Sequence, residues 1–173
     1  MNEVVQAILD RRSCKKYKDK MLKREDIEEI IHAGLFAASG MGKQGAIIVA
    51  ITNKEVRDQL SKMNAEIMHA NIDPFYGAPV VLVVLRDKNV ATSIYDGSLV
   101  MGNMMLAASA KGIGSCWIHR AKEEFDSIEG KALLKKIGVE GEYEGVGHCI
   151  LGYPDGPLHG VVERKANRVY WVD

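Results

Sequence analysis

Two short stretches of this chain are apolar almost without interruption: GAIIVAIT at 45–52 and APVVLVVL at 78–85. Each has the length of a strand, and neither alternates with polar residues. A strand that is apolar on both faces needs a covering layer on each side, so these segments ask for a sheet with helices above and below it. The rest of the chain supplies them. Asn2 caps a first helix on which Val4, Val5, Ile8 and Leu9 share one face. Ile27, Ile30, Ile31 and Leu35 carry helical spacing into a second helix, which Gly34 and Gly40 weaken and end. Residues 54–70 read as a helix between the two strands. Residues 92–111 read as a long apolar helix stopped by Gly112 and Gly114, and 126–137 as another with Gly138 past its end. Two further strands are expected at 115–118 and 145–153, the last closed by Pro154-Asp155-Gly156.

No repeat, low-complexity tract or linker divides the 173 residues. A single domain over 1–173 is therefore expected, long enough to bury roughly two-thirds of its unfolded surface. Its 23 Lys and Arg balance 23 Asp and Glu, which gives no electrostatic reason to expect nucleic-acid or membrane binding. No apolar run approaches the roughly 20 residues that span a bilayer. The opening MNEVVQAILD lacks the basic region and long apolar core of a secretion signal. Cys14, Cys116 and Cys149 are odd in number and show no CxxC or CxxH spacing, which speaks against a disulfide framework or zinc site and for a reducing cytoplasm. His32, His69, His148 and His159 have no metal-ligand spacing either, so no metal is expected. The chain ends on Val169-Tyr170-Trp171-Val172, apolar and with nothing after it to cover it. Such a terminus frays unless docked, either on its own sheet or on a second subunit.

Against this neutral background, Arg11-Arg12-Ser13-Cys14-Lys15-Lys16-Tyr17 concentrates four cations and a hydroxyl in seven residues. Basic residues at a helix C-terminus complement the macrodipole and need no ligand. Three features point instead to an anion site: the hydroxyl of Ser13 among the cations, the planar fork of arginine that suits phosphate oxygens, and a distant counterpart, Arg164-Lys165 in VVERKANR. Two separated clusters, in a chain without Walker or Rossmann glycine patterns, suggest one phosphate group held from two sides.

The same segment, following a short N-terminal helix, resembles the opening signature of the FMN-dependent nitroreductase family. The likeness runs on in order through most of the chain. Ala38-Ser39-Gly40-Met41-Gly42-Lys43-Gln44 resembles the family's turn before a strand. Asp96-Gly97 through Asn103-Met104-Met105-Leu106-Ala107-Ala108, then Gly112-Ile113-Gly114-Ser115-Cys116-Trp117-Ile118, resembles its central helix and following strand. Leu151-Gly152-Tyr153-Pro154 and Arg164-Lys165 resemble its closing strand and basic tail.

The resemblance implies an α+β fold, with a central mixed, mainly antiparallel sheet flanked by helices and a C-terminal tail reaching the partner subunit. It implies a homodimer with FMN at the interface. It also implies NADH or NADPH as transient hydride donor, and a nitroaromatic, quinone or similar small-molecule acceptor reduced in a ping-pong cycle. Arg11, Arg12, Ser13 and Arg164, with Lys165 beside it, are then phosphate contacts. Lys15 faces the flavin's N1 edge, where a cation stabilises the reduced form. Ser39 and Gln44 belong to the cofactor-side turn, and a backbone N–H within 118–120 meets the flavin's N5, which puts Ile118 and His119 at the cofactor. Asn71 is a candidate for a ring contact or for a helix C-cap. No catalytic side chain is expected, because the hydride chemistry is the cofactor's. Two other outcomes stay open: different flavin chemistry on the same fold (flavin breakdown, reductive dehalogenation), and a flavin-binding dimeric protein without significant turnover. A third is another phosphate ligand altogether.

The sequence also departs from the family. Where its turn reads Pro-Ser, then Asn, then Gln-Pro-Trp, this chain has Ala38-Ser39, Gly42 and Gln44-Gly45-Ala46, so weaker flavin retention or a reshaped pocket is expected. Asp96 and Asn103 lie seven apart on one face of an apolar helix and are expected to be buried hydrogen-bond partners. Met101, Met104 and Met105 are read as packing, Cys116 and Cys149 as core, Cys14 as a filler position. Lys16 is expected to face solvent and Tyr17 to pack.

Overall fold

The computed structural model describes residues 1–158 and 160–173, so His159 lies outside the described residues. The second apolar run shows why three layers form. Val80 to Leu85 are fully buried, and their side chains alternate between two cores. Val81, Val83 and Leu85 pack in one core with Leu60, Phe125 and Leu134; Val80, Leu82 and Val84 pack in the other with Ile27, Ile30, Val100, Met101 and Met104. The elements that carry these residues are α1 (Glu3–Asp10), α2 (Arg24–Leu35), a 3-10 turn (Gly40–Gly42), β1 (Ala46–Ile51), α3 (Lys54–Ile67), β2 (Val80–Asp87), α4 (Ser93–Ala110), β3 (Gly114–Ile118), α5 (Ala121–Asp126), α6 (Ile128–Lys136) and β4 (Tyr143–Gly152). Helices α2 and α4 thus cover one face of the sheet, and α3, α5 and α6 cover the other. This is the α+β arrangement the sequence implies.

The strands run in the order β1-β2-β4-β3, and each neighbouring pair is antiparallel. Among the described residues a parallel pairing enters only as an isolated bridge between Ser13 and Ser115. Because β1 is an edge strand, GAIIVAIT is less buried than its composition suggests, and Ala50 is exposed. Strand β4 carries a register shift opposite Val84 and Leu85. It runs so close to α5 there that a Cβ on Gly145 would lie 2.1 Å from the backbone of Ala121.

Two boundaries differ from expectation. The helix read at 126–137 is α6, and a short helix that the sequence reading did not expect, α5, precedes it; Ser127 separates the two, because its backbone is extended (ψ 165°) and its hydroxyl accepts from the N–H of Gly130 to cap α6. A serine that bonds its neighbouring backbone competes with the helical ladder. Helix α5 begins at Ala121 directly after Arg120, which holds a left-handed conformation (φ 77°). No sequence signal of glycine type marked that start.

Asp96 is buried and accepts from the N–H of Gly40 and the hydroxyl of Thr92. Asn103 donates to the carbonyl of Ala33. Both are hydrogen-bond partners as expected, Asp96 buried and Asn103 half-buried, and Asp96 ties the 3-10 turn to α4. Helix α1 and the tail both leave apolar surface uncovered. Helix α1 buries no residue, so the face of Val4, Val5, Ile8 and Leu9 is open. The tail residues Val169 to Val172 are exposed, so the terminus does not dock on the chain's own sheet.

Candidate functional site

After α1 the chain crosses the free edge of β3 and is clipped there. Cys14 N–H donates to Ser115 O at 2.8 Å, Lys18 N–H to Tyr153 O at 2.9 Å, and Asp155 N–H to Lys16 O at 3.0 Å. Gly114 permits the approach, since a Cβ there would sit 2.7 Å from Cys14 Cβ and Sγ. The clip sorts the side chains. Cys14 is buried, its thiol donating to Lys16 O at 3.2 Å, and the Tyr17 hydroxyl donates to Cys14 O at 2.7 Å. Lys16 faces solvent and pairs with Asp155 at 2.9 Å. Arg11, Arg12, Ser13 and Lys15 line a cleft of about 650 Å³.

The end of β3 beside them and the two residues after it, Cys116 to Arg120, line the same cleft. The loop after α3 adds Met68, Ile72, Pro74 and Tyr76 to the lining, and the tail adds Gly160, Val162 and Arg164. Five cations line this cleft, Arg11, Arg12, Lys15, Arg120 and Arg164, and no carboxylate is among the described lining residues. The two adjacent arginines differ. Arg12 donates through Nη1 to Leu9 O at 2.5 Å and Arg11 O at 2.8 Å, so helix-end electrostatics account for it. Arg11 Nη1 is buried and has no partner among the described residues. Lys15 Nζ lies 5.7 Å from the centroid of the Tyr76 ring.

Asp73 holds the loop wall in place. It accepts from Phe75 N–H (2.9 Å), Gly77 N–H (2.7 Å), the Ser61 hydroxyl (2.5 Å) and Arg57 Nη2 (2.6 Å). Burial raises the pKa of Asp73, but the donors from Arg57, Ser61, Gly77 and Phe75 together outweigh it and hold the carboxyl below its ordinary value. Stability from a depressed carboxyl is present above the unfolded pKa of about 3.9 and lost as pH falls through the lower folded value. Asp73→Asn should therefore cost on the order of 1–2 kcal/mol at pH 7. In urea unfolding, the gap between parent and variant should persist down to about pH 4 and narrow only below it. Burial pushes the thiol of Cys116, which lines the cleft, above its ordinary pKa, and it pushes the core thiol of Cys149 up to about 12.

Of the residues expected at a cofactor, Arg11, Arg12, Ser13, Lys15, Ile118, His119 and Arg164 line this one cleft. Lys165 lies in a neighbouring groove with Asn167 and Arg168. Asn71 opens on another groove, with Arg57, Ser61 and Asp73, and it is not the cap of α3, which is Met68. Ser39 and Gln44 do not line the cleft; the Ser39 hydroxyl accepts from Gln44 N–H at 3.2 Å within the turn. Gly42 sits there at φ 65° with open space around it, a backbone state that glycine and asparagine both accept.

Sequence reasoning missed Tyr76, Asp73 and a buried pair behind β3, Glu124 and His148. Their side chains meet at 2.6 Å and are fully buried. Hydropathy does not flag a polar residue in a strand, and the partners lie on different elements.

Comparison with known proteins agrees with this geometry. The model of the Nitroreductase family matches residues 8–153. A provisionally named NADH dehydrogenase/NAD(P)H nitroreductase of Archaeoglobus fulgidus is 30% identical over 159 residues, 89% of this chain and 87% of that one. An NADPH-flavin oxidoreductase of Vibrio harveyi is 30% identical over 167 residues, 90% of this chain and 67% of its own length. The crystal structure of a nitroreductase with bound FMN from Bacteroides fragilis superposes with a TM-score of 0.89 at 29% identity, each chain covered in full.

Proposed function

The chain belongs to the nitroreductase family, and on that premise we propose that it is an NAD(P)H-dependent FMN oxidoreductase that reduces a nitroaromatic, quinone or similar small acceptor by a ping-pong cycle. The observation that carries this reading is the buried Nη1 of Arg11, which has no partner among the described residues, in a cleft lined by cations and no described carboxylate. A buried donor without an acceptor costs about 1–3 kcal/mol, and a phosphate group answers it with charge-assisted hydrogen bonds.

The other lining residues fit the same group. Ser13 and Arg164 stand ready to donate to phosphate. Lys15, held against Tyr76, supplies a cation that stabilises negative charge arising in the cleft. Ile72, Pro74, Tyr76, Trp117 and Ile118 offer apolar and aromatic surface for a planar ring. FMN bound here would supply the hydride-accepting and electron-donating ring, for which the cleft holds no side-chain substitute. The cleft's size lies within the roughly 300–1,000 Å³ usual for ligand sites.

The working form on this reading is a homodimer. The apolar face of α1, the exposed Tyr95 and Leu99 of α4, and the tail from Val169 to Val172 are the surfaces that support it. A second copy would also give a place to Ser39 and Gln44, which stand apart from their own chain's cleft. Three free, buried cysteines support a cytoplasmic location. No described helix is long and apolar enough to cross a membrane.

The test is an absorbance spectrum of the protein after incubation with FMN, before and after NADH or NADPH, followed by addition of a quinone or a nitroaromatic. A flavin spectrum that bleaches with the nucleotide and returns with the acceptor is expected. Flavin uptake without turnover would leave a binding protein, and failure to take up FMN would overturn the reading.

A further inference from the structure

The floor of the cleft at the end of β3 is held from behind. Ile118 O faces His148 Nδ1 at 3.3 Å, and His119 O accepts from Asn64 Nδ2 at 2.8 Å. The two anchors come from different elements, β4 and α3, and both are fully buried. A carbonyl only accepts, so Nδ1 of His148 carries a proton, and a second proton lies in the 2.6 Å contact between His148 Nε2 and Glu124 Oε2. Phe75 packs against the same imidazole, 5.1 Å between centroids. The next residue is held too: Arg120 keeps its left-handed φ of 77° while its Nη1 reaches Asn64 Oδ1 at 3.4 Å. A non-glycine residue persists in that region where its surroundings fix it.

Across a trans peptide, a carbonyl and the N–H of the following residue point in opposite directions. With Ile118 O and His119 O drawn inward, the N–H groups of His119 and Arg120 face away from the interior. Neither donates to a backbone acceptor among the described residues. His119 and Arg120 line the cleft, whereas Asn64 does not.

We propose that Asn64, with the Glu124–His148 pair, is a positioning residue that orients the 118–120 backbone so that two consecutive N–H groups are presented to the ring of the bound cofactor. This rests on the reading of the cleft as an FMN site. Preorganised backbone donors of this kind act on charge without reorganising when it appears. A side chain that never touches the cofactor then sets how the cofactor is held and how readily it is reduced.

The test compares the full-length protein with Asn64→Asp, which keeps the shape but replaces the donor by an acceptor facing His119 O. Asn64→Ser, which adds no buried charge, carries the same test where the first variant does not fold. In 15N-labelled protein titrated with FMN, the amides of His119 and Arg120 should shift in the parent and lose that response in the variant, while Arg11 and Ser13 respond in both. The reduction potential of the bound FMN should change, and FMN affinity should fall about 3- to 10-fold. Unaltered His119 and Arg120 responses with an unaltered potential would overturn the positioning role while leaving the FMN site intact. No response at Arg11 and Ser13 in the parent would overturn the FMN reading, and this role with it.

Discussion

Arg11→Ala should weaken FMN binding by about 10- to 100-fold, while Lys16→Ala should change it by less than about threefold, both read by quenching of flavin fluorescence on titration. The contrast follows from where two cations five residues apart end up. Arg11 lines the cleft with a buried Nη1 that has no acceptor among the described residues. A hydrogen bond from such a group to a charged acceptor is worth about 1.5–3 kcal/mol, and each 1.4 kcal/mol is tenfold in affinity. Lys16 lies on the outer side of the same segment, 78% exposed, and pairs with Asp155. Exposed pairs of this kind contribute about 0–1 kcal/mol. Arg12→Ala should fall between them, because its guanidinium is engaged with the carbonyls of Leu9 and Arg11 at the end of α1. Equal losses at positions 11 and 16 would mean that only summed charge matters there. The cluster would then be a helix-end feature.

That division within one basic run marks the limit of what the chain discloses as a string. The two-sided apolar strand at 78–85 fixes the layering, because each of its faces must find a cover, and both did. Asp96 and Asn103 were legible as internal partners because a polar residue in an apolar helix has few other uses. Whether an arginine points into a cleft or wraps back on its own helix depends on the clip between Cys14 and Ser115, a contact spanning about a hundred residues of chain. Asn64 reads as an ordinary polar position on a surface helix. It is buried only because α3 packs beside the end of β3. Asn71 shows the converse. Its neighbours Ile72, Pro74 and Tyr76 line the cleft while it turns to another groove. The four bonds to Asp73 decide that, and none of them leaves a periodic trace in sequence. Ser39 and Gln44 were legible as a motif, but their place outside the cleft is a property of the assembled fold.

His148→Ala should lower the melting temperature by on the order of 10 °C, measured by calorimetry, although the residue lies behind the cleft. Its imidazole and the Glu124 carboxyl are both fully buried, and Glu124 Oε1 has no partner among the described residues. Removing one member of a buried polar pair strands the other and costs about 3–5 kcal/mol. For a chain of this size, 1 kcal/mol shifts the midpoint by roughly 2–4 °C. Glu124→Ala should cost as much. Glu124→Gln should cost far less, since an amide can donate to Nε2 and leave Nδ1 free to serve Ile118 O. Arg24→Ala, which breaks an exposed pair with Glu28 on α2, should be nearly silent. If Glu124→Gln were as damaging as Glu124→Ala, the pair would depend on its charge and not on its hydrogen bonds. A loss confined to Ala would instead make the pair a hydrogen-bonded brace. Stability and the orientation of the cleft floor would then be two readings of one contact.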